Sequence, residues 1–189
     1  MLVQWPALLG RRALDLACGS GRYAQLLTQS RAAVVTALDF STAMLQRVSN
    51  CQRVQASMMS LPFVSGAFDA IVSGLAIGHA TDVQRWMSEV ARVLDRDGVL
   101  LYSDFHPEAA RAGLTRSFKD DKGVTCVVPH NSFALAVQTT AATQAGLIVE
   151  SVTELCAGKE VCEPFSGSED FYRRWHGLPL VLIVRARKA

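Results

Sequence analysis

Two rhythms alternate along this chain. Short apolar runs rich in β-branched residues (13–16, 34–38, 68–73, 99–103, 147–154 and 180–185) are separated by stretches whose apolar positions recur every three or four residues. That order predicts an α/β fold, a doubly wound and mostly parallel sheet with helices on both faces. Residues 13–16 read as the first strand, 21–30 as a helix, 34–38 as the second strand, 42–48 as a short helix and 53–55 as a brief third strand. The run 68–73 is almost wholly apolar, as a strand at the sheet centre requires. Val83, Trp86, Met87, Val90 and Leu94 form one stripe of an amphipathic helix over 82–94, with Asp82 as its N-cap, and core packing accounts for that stripe.

The fifth strand, 99–103, delivers Asp104, Phe105 and His106 to its C-terminal end. Between 105 and 131 the pattern turns irregular, and Lys119-Asp120-Asp121-Lys122-Gly123 marks a turn between two short strands, the second over 124–128. This hairpin is read as a lid or substrate insertion. A helix over 132–145 stops at Gly146, and two strands, 147–154 and 180–185, complete a count of seven. Neither repeats nor a linker divide residues 1–189, so one domain is expected.

Composition narrows the partners. The 19 basic and 17 acidic side chains leave a formal charge of +2, too little to suggest nucleic acid or an anionic membrane, so a small molecule is the expected partner. Five cysteines with no C-x-x-C spacing suggest neither a disulfide framework nor a zinc site, and no metal is expected. They fit a reducing, cytoplasmic setting. The apolar start precedes its arginines, unlike a secretory leader, and the longest uncharged apolar stretch, 70–80, falls short of the roughly 20 residues that cross a bilayer.

The chemistry gathers at two turns. Asp15-Leu16-Ala17-Cys18-Gly19-Ser20-Gly21 lies where the first strand becomes the first helix, and small residues there let backbone amides approach a ligand. Asp39 ends the second strand, where a carboxylate can accept from both hydroxyls of a ribose. Gly19-x-Gly21-x-x-Ala24 equally fits a dinucleotide fingerprint, so these residues alone leave an NAD-dependent oxidoreductase open.

ALDLACGSGRY, then VVTALDFSTAML, LPFVSGAFDAIVS and EVARVLDRDGVLLYSD resemble, in order, the motif series of class I S-adenosylmethionine (SAM)-dependent methyltransferases of the type 11 group. The resemblance is close from about Arg12 to His106 and looser beyond. It implies a Rossmann-like seven-stranded sheet whose last strand is antiparallel, SAM as cofactor and S-adenosylhomocysteine as product. Asp15 and the loop of Ala17, Cys18, Gly19 and Gly21 would hold the methionine end, and Asp39 the ribose. Phe40 and Met44 would flank the adenine, with Ser57 beside it and Met58 packing on its other side; for the two methionines, ordinary core packing is the alternative. Three departures stand out. Ala17 replaces the first glycine of the loop, a small change that adds only a methyl group. Ser57 replaces an acidic residue and loses a charge-assisted bond, and Arg96-Asp97-Gly98 replaces a proline-glycine-glycine turn.

Methyl transfer from a sulfonium needs chiefly alignment, with a base only where the acceptor must lose a proton. His79 and His106, beyond the ends of the fourth and fifth strands, are the candidate bases, against structural hydrogen bonding as the alternative for each. Asp104 and His130 are secondary candidates, and His176 reads as surface. Phe165, Phe171, Tyr172 and Trp175 read either as an acceptor lining or as a satellite core. Few residues precede the first strand, so pocket closure is assigned to the 105–131 segment, to a homodimer or to residues outside this sequence. An O- or N-methyltransferase acting on a small molecule is the leading expectation. Behind it stand a degenerate SAM-binding protein, an NAD-dependent oxidoreductase and an RNA methyltransferase.

Overall fold

A computed structural model describes residues 1, 4–159 and 168–189. Strands β1 (Arg12–Leu16), β2 (Val34–Asp39), β3 (Gln52–Gln55), β4 (Phe68–Gly74), β5 (Leu94–Phe105), β8 (Leu147–Cys156) and β9 (Pro179–Lys188) form one seven-stranded sheet. Its order is β3-β2-β1-β4-β5-β9-β8, with β9 antiparallel to both neighbours and every other pairing parallel. The expected sheet is therefore present. The order reverses between β1 and β4, and in open α/β sheets ligands bind in the crevice at such a switch point.

Period-two alternation divides the core. Ala13, Val35, Ala37, Ala70 and Val72 pack with Ala24 and Leu27 of α1 (Arg22–Gln29) and Leu45 of α2 (Thr42–Leu45). Leu14, Leu16, Leu38 and Ile71 pack with Trp86, Met87 and Val90 of α3 (Val83–Val93), and with Ala141 and Ala142 of α5 (Leu135–Gln144). Asp82 caps α3 as expected, its side chain accepting from the Arg85 amide at 3.1 Å. Trp86 meets Tyr102 edge-on at 5.6 Å, and Tyr102 donates to Gln138 at 2.9 Å, joining α3, β5 and α5.

The structure departs from expectation in three places and decides between two readings in a fourth. Strand β5 begins at Leu94 rather than at 99, because Leu94 pairs with Phe68 and a register shift absorbs the Arg96-Asp97-Gly98 turn, with Asp97 at φ 61°. A short helix, α4 (Pro107–Arg111), follows β5 directly; His106 is its N-cap and proline occupies its first turn, where a missing amide costs nothing. The hairpin strands are β6 (Ser117–Lys119) and β7 (Thr125–Val127), shorter than expected. Helix α6 (Ser168–Trp175) buries Trp175 against Ala109, Ala157 and Leu180, with Phe171 and Tyr172 beside it, so these aromatics form a satellite core. Phe165 lies outside the described residues.

Candidate cofactor and acceptor site

The loop between β1 and α1 is held open by backbone conformation. Gly19 and Gly21 have φ of 55° and 85°, in the left-handed region that glycine adopts without penalty. A Cβ at Gly21 would also lie 2.9 Å from a Val48 methyl, whereas at Gly19 it would meet only open space. Ala17 shares the left-handed conformation, at φ 56°. The missing first glycine is thus more than an added methyl group: it holds an L-residue where roughly 1–2 kcal/mol of strain is typical. Ala17→Gly should stabilise the fold by about 0.5–1 kcal/mol once the extra unfolded-state entropy of glycine is deducted. Chemical denaturation would measure it.

Asp39 fastens this loop to β2. One carboxylate oxygen accepts from the Gly19 amide and the other from the Ser41 amide, each at 2.8 Å. Each oxygen keeps a lone pair for a further donor, and Asp39 lines a cavity of about 840 Å³ together with Ala17, Gly19, Phe40, Met44, Ser57 and Met58. Phe40 is 77% exposed and Met44 41% exposed at the rim, so core packing does not account for Met44, whereas Met58 both lines the cavity and packs against the core. The opposite wall is fixed from α3: the Leu61 amide donates to Glu89 at 2.6 Å, Arg92 donates to the Leu61 and Phe63 carbonyls, and Arg85 to the Met59 carbonyl. The Ser57 hydroxyl accepts from the Met59 amide at 3.2 Å.

Asp15, Cys18 and Gly21 stand outside the lining. Asp15 is fully buried beneath the loop and accepts from the Ala24 amide at 2.7 Å. Burial pushes its carboxyl up to about 7, with Asp39 adding like charge and the Ala24 bond opposing. Burial likewise pushes the Cys18 thiol up to about 12. Because the folded Asp15 binds a proton over a range where the unfolded one does not, its burial costs stability progressively as pH rises from about 4 to about 7. Asp15→Asn removes that charge and can keep the Ala24 bond. Its melting temperature relative to the parent should therefore climb between pH 5 and pH 8; a difference constant across that range would contradict the burial argument.

The cavity continues past the end of β4, where Gly74, Leu75, Ala76, His79, Thr81 and Arg116 line it. Leu75 holds φ 55°, its amide bonded to the Ser103 carbonyl at 2.8 Å. Arg116 donates from Nη1 to the Leu75 carbonyl at 3.0 Å and stands 3.3 Å from Nε2 of His79. A guanidinium can only donate, so that nitrogen of His79 accepts and the ring is neutral. Partial burial and then the charge of Arg116 hold the His79 pKa below its ordinary value. Nothing local in the sequence marked Leu75 or Arg116, whereas the switch-point rule could have found Leu75.

His106 takes no part in this cavity, contrary to the expectation of a candidate base there. It is 4% exposed; Nδ1 accepts from the Glu108 amide at 3.1 Å and Nε2 lies 3.3 Å from Glu154 of β8. Capping α4 and bridging to β8 turn its ring away. His130 packs edge-on to Phe105 at 5.2 Å, and Asp104 is fully buried, its carboxyl pushed up to about 6 chiefly by that burial.

Residues 14–102 match the family model described as a methyltransferase domain, Methyltransf_11. Among curated proteins, the chain is 32% identical over 119 residues to a 2-phytyl-1,4-naphtoquinone methyltransferase of Nostoc, covering 56% of this chain and 52% of that one. It is 35% identical over 106 residues to a malonyl-acyl-carrier-protein O-methyltransferase of Halorhodospira halophila, covering 52% of this chain and 36% of that one. The chain thus spans about half or less of the length of these relatives. Among solved structures, a SAM-dependent methyltransferase from Mesorhizobium loti superposes with a TM-score of 0.78 at 23% identity, over 99% of this chain and 95% of that one. The family match spans β1 to β5, the same strands whose ends and turns build the cavity, and over the whole chain the fold is the one found in SAM-dependent methyltransferases of known structure.

Proposed function

We propose that this chain transfers the methyl group of SAM to an oxygen or nitrogen of a small-molecule acceptor by in-line displacement. The observation that carries the reading is one continuous cavity, with the Asp39 carboxylate at one end and His79 and Arg116 at the other. Bound SAM supplies an electrophilic methyl carbon on a positively charged sulfur.

The residues then divide the work. Asp39 uses its remaining lone pairs on the ribose hydroxyls, while its bonds to Gly19 and Ser41 keep the carboxylate from rotating. Phe40 and Met44 on one side and Met58 on the other sandwich the adenine, with Ser57 at its edge. The bare Gly19 backbone admits the methionine end, and Asp15 supports that loop from beneath through the Ala24 amide. The wall from Gly74 to Ala76 sets the line of approach of the acceptor, and alignment of this kind is worth roughly 7–11 kcal/mol in well-oriented reactions. His79 is neutral and so in the form that takes a proton, provided Arg116 shifts from its Nε2. The 105–131 segment, which contributes Arg116, serves as a lid. Among the described residues no helix is long and apolar enough to cross a membrane, and Cys18, Cys51, Cys126 and Cys156 are free, which supports a cytoplasmic setting.

Two observations favour a second reading, a SAM-binding protein without transfer. Ser57 brings no carboxylate to the adenine edge, and the accepting nitrogen of His79 is engaged by Arg116. Incubation with SAM and a panel of phenols, amines and carboxylic acids distinguishes the two by mass spectrometry. Methylated product matched by S-adenosylhomocysteine is the expected result, and retention of SAM with no product from any class would leave the second reading.

A further inference from the structure

Among the described residues Arg116 is the one cation in the cavity lining, and the lining's carboxyl side chain, Asp39, sits at the cofactor end with both oxygens on backbone amides. Both hydrogen bonds of Arg116, to the Leu75 carbonyl and toward His79, leave from Nη1. Nε and Nη2, the pair that makes the side-on fork of a guanidinium, have no partner among the described residues. Arg12, Arg92, Arg185 and Arg187 each face a carboxylate of this chain within 3 Å, whereas Arg53 and Arg85, outside the acceptor end, donate to backbone carbonyls. Arg116 has no such carboxylate among the described residues. Asp104 feels its charge without reaching ion-pair distance, and burial opposes ionisation of that carboxyl.

We infer that Arg116 is the recognition site for a carboxylate on the methyl acceptor, held side-on through Nε and Nη2 while Nη1 keeps its bond to the Leu75 carbonyl and gives up His79. Two parallel N–H donors match the two oxygens of a planar carboxylate and give a charge-assisted pair. One guanidinium balances one negative charge, whereas a phosphate monoester brings up to about two, and among the described residues no second cation lines the cavity. The rest of the acceptor is apolar, since Leu75 stands exposed beside Arg116 and Ala76 lines the cavity next to it, an apolar rim at the acceptor end. An amphiphilic carboxylic acid fits this combination of one cation and an apolar rim. The carboxylate is the handle, and the methylated atom lies elsewhere on the molecule.

This inference rests on the methyltransferase reading, and one experiment separates the two. The protein is saturated with S-adenosylhomocysteine and titrated calorimetrically with octanoate, octanamide and octylphosphonate, and the titrations are repeated on Arg116→Gln and Arg116→Lys. Octanoate should bind at least about tenfold more tightly than octanamide or octylphosphonate. Arg116→Gln should remove that preference and Arg116→Lys should retain part of it, with melting temperatures confirming that both variants fold. Equal binding of octanoate and octanamide to the parent protein, tighter binding of octylphosphonate, no octanoate binding, or an octanoate preference that survives Arg116→Gln would each overturn the carboxylate site. Failure of the parent protein to bind S-adenosylhomocysteine would overturn the methyltransferase reading, and the acceptor site with it.

Discussion

Asp39→Ala should lower the affinity for S-adenosylhomocysteine by more than about a hundredfold while leaving a folded protein. Charge-assisted hydrogen bonds are worth about 1.5–3 kcal/mol each, so losing two to the ribose accounts for a factor of that size. The substitution also strips the Gly19 and Ser41 amides of their acceptor, so the loop at the methionine end loses its tie to β2. Asp39→Asn should fall between, because an amide oxygen replaces only one of the two acceptors. Calorimetric titration provides the affinities and the melting temperature provides the control for folding. Affinity within threefold of the parent in Asp39→Ala would place the ribose elsewhere.

Gly74→Ala should produce the largest loss of stability of any single methyl addition near the site. A Cβ at Gly74 would lie 2.1 Å from a ring carbon of Tyr23 and 3.0 Å from the next, and Tyr23 is itself stacked on Trp5. Overpacking of this kind typically costs 1–3 kcal/mol, and an aromatic ring held between two neighbours has little room to yield. A displaced Tyr23 would also shift the wall that Gly74 gives to the cavity, so S-adenosylhomocysteine affinity should fall with stability. In a Tyr23→Ala background the same substitution should cost little, and that pair of measurements isolates the contact. Equal costs in both backgrounds would show that the Tyr23 ring is not what excludes a side chain at Gly74.

The parts of this fold that were legible in the sequence are those set by local rules. The apolar runs 13–16 and 68–73 read as strands, and in the structure Ala13 and Leu14, like Ala70 and Ile71, pack on opposite faces of the sheet because successive strand residues point to opposite sides. Asp82 was readable as a cap because a short acceptor side chain before an apolar stripe satisfies an amide that the helix cannot. Asp39 and the glycine loop were readable because strand ends at a switch point converge, and the structure joins them by a hydrogen bond.

What escaped the reading depends on partners distant in sequence or on backbone angles. Side-chain size alone made Ala17 look harmless, and only φ shows the strain. His106 was correctly carried to the C-terminal end of β5, yet its ring direction is set by the Glu108 amide and by Glu154 on another strand. Pro107 and Glu108 did carry the signature of a helix start, which makes capping the simpler use of that histidine. Arg116 enters the cavity from a segment with no periodic pattern, through contacts with residues far back in the chain, so no local rule could have found it.

Calorimetric titration of the parent protein with S-adenosylhomocysteine, and separately with NAD, decides which nucleotide the Asp39 cavity holds. Binding of S-adenosylhomocysteine and none of NAD is expected, because the cavity leads from Asp39 to the Leu75 and Arg116 wall rather than to a second nucleotide site. Binding of NAD without S-adenosylhomocysteine, or of neither, would contradict that expectation.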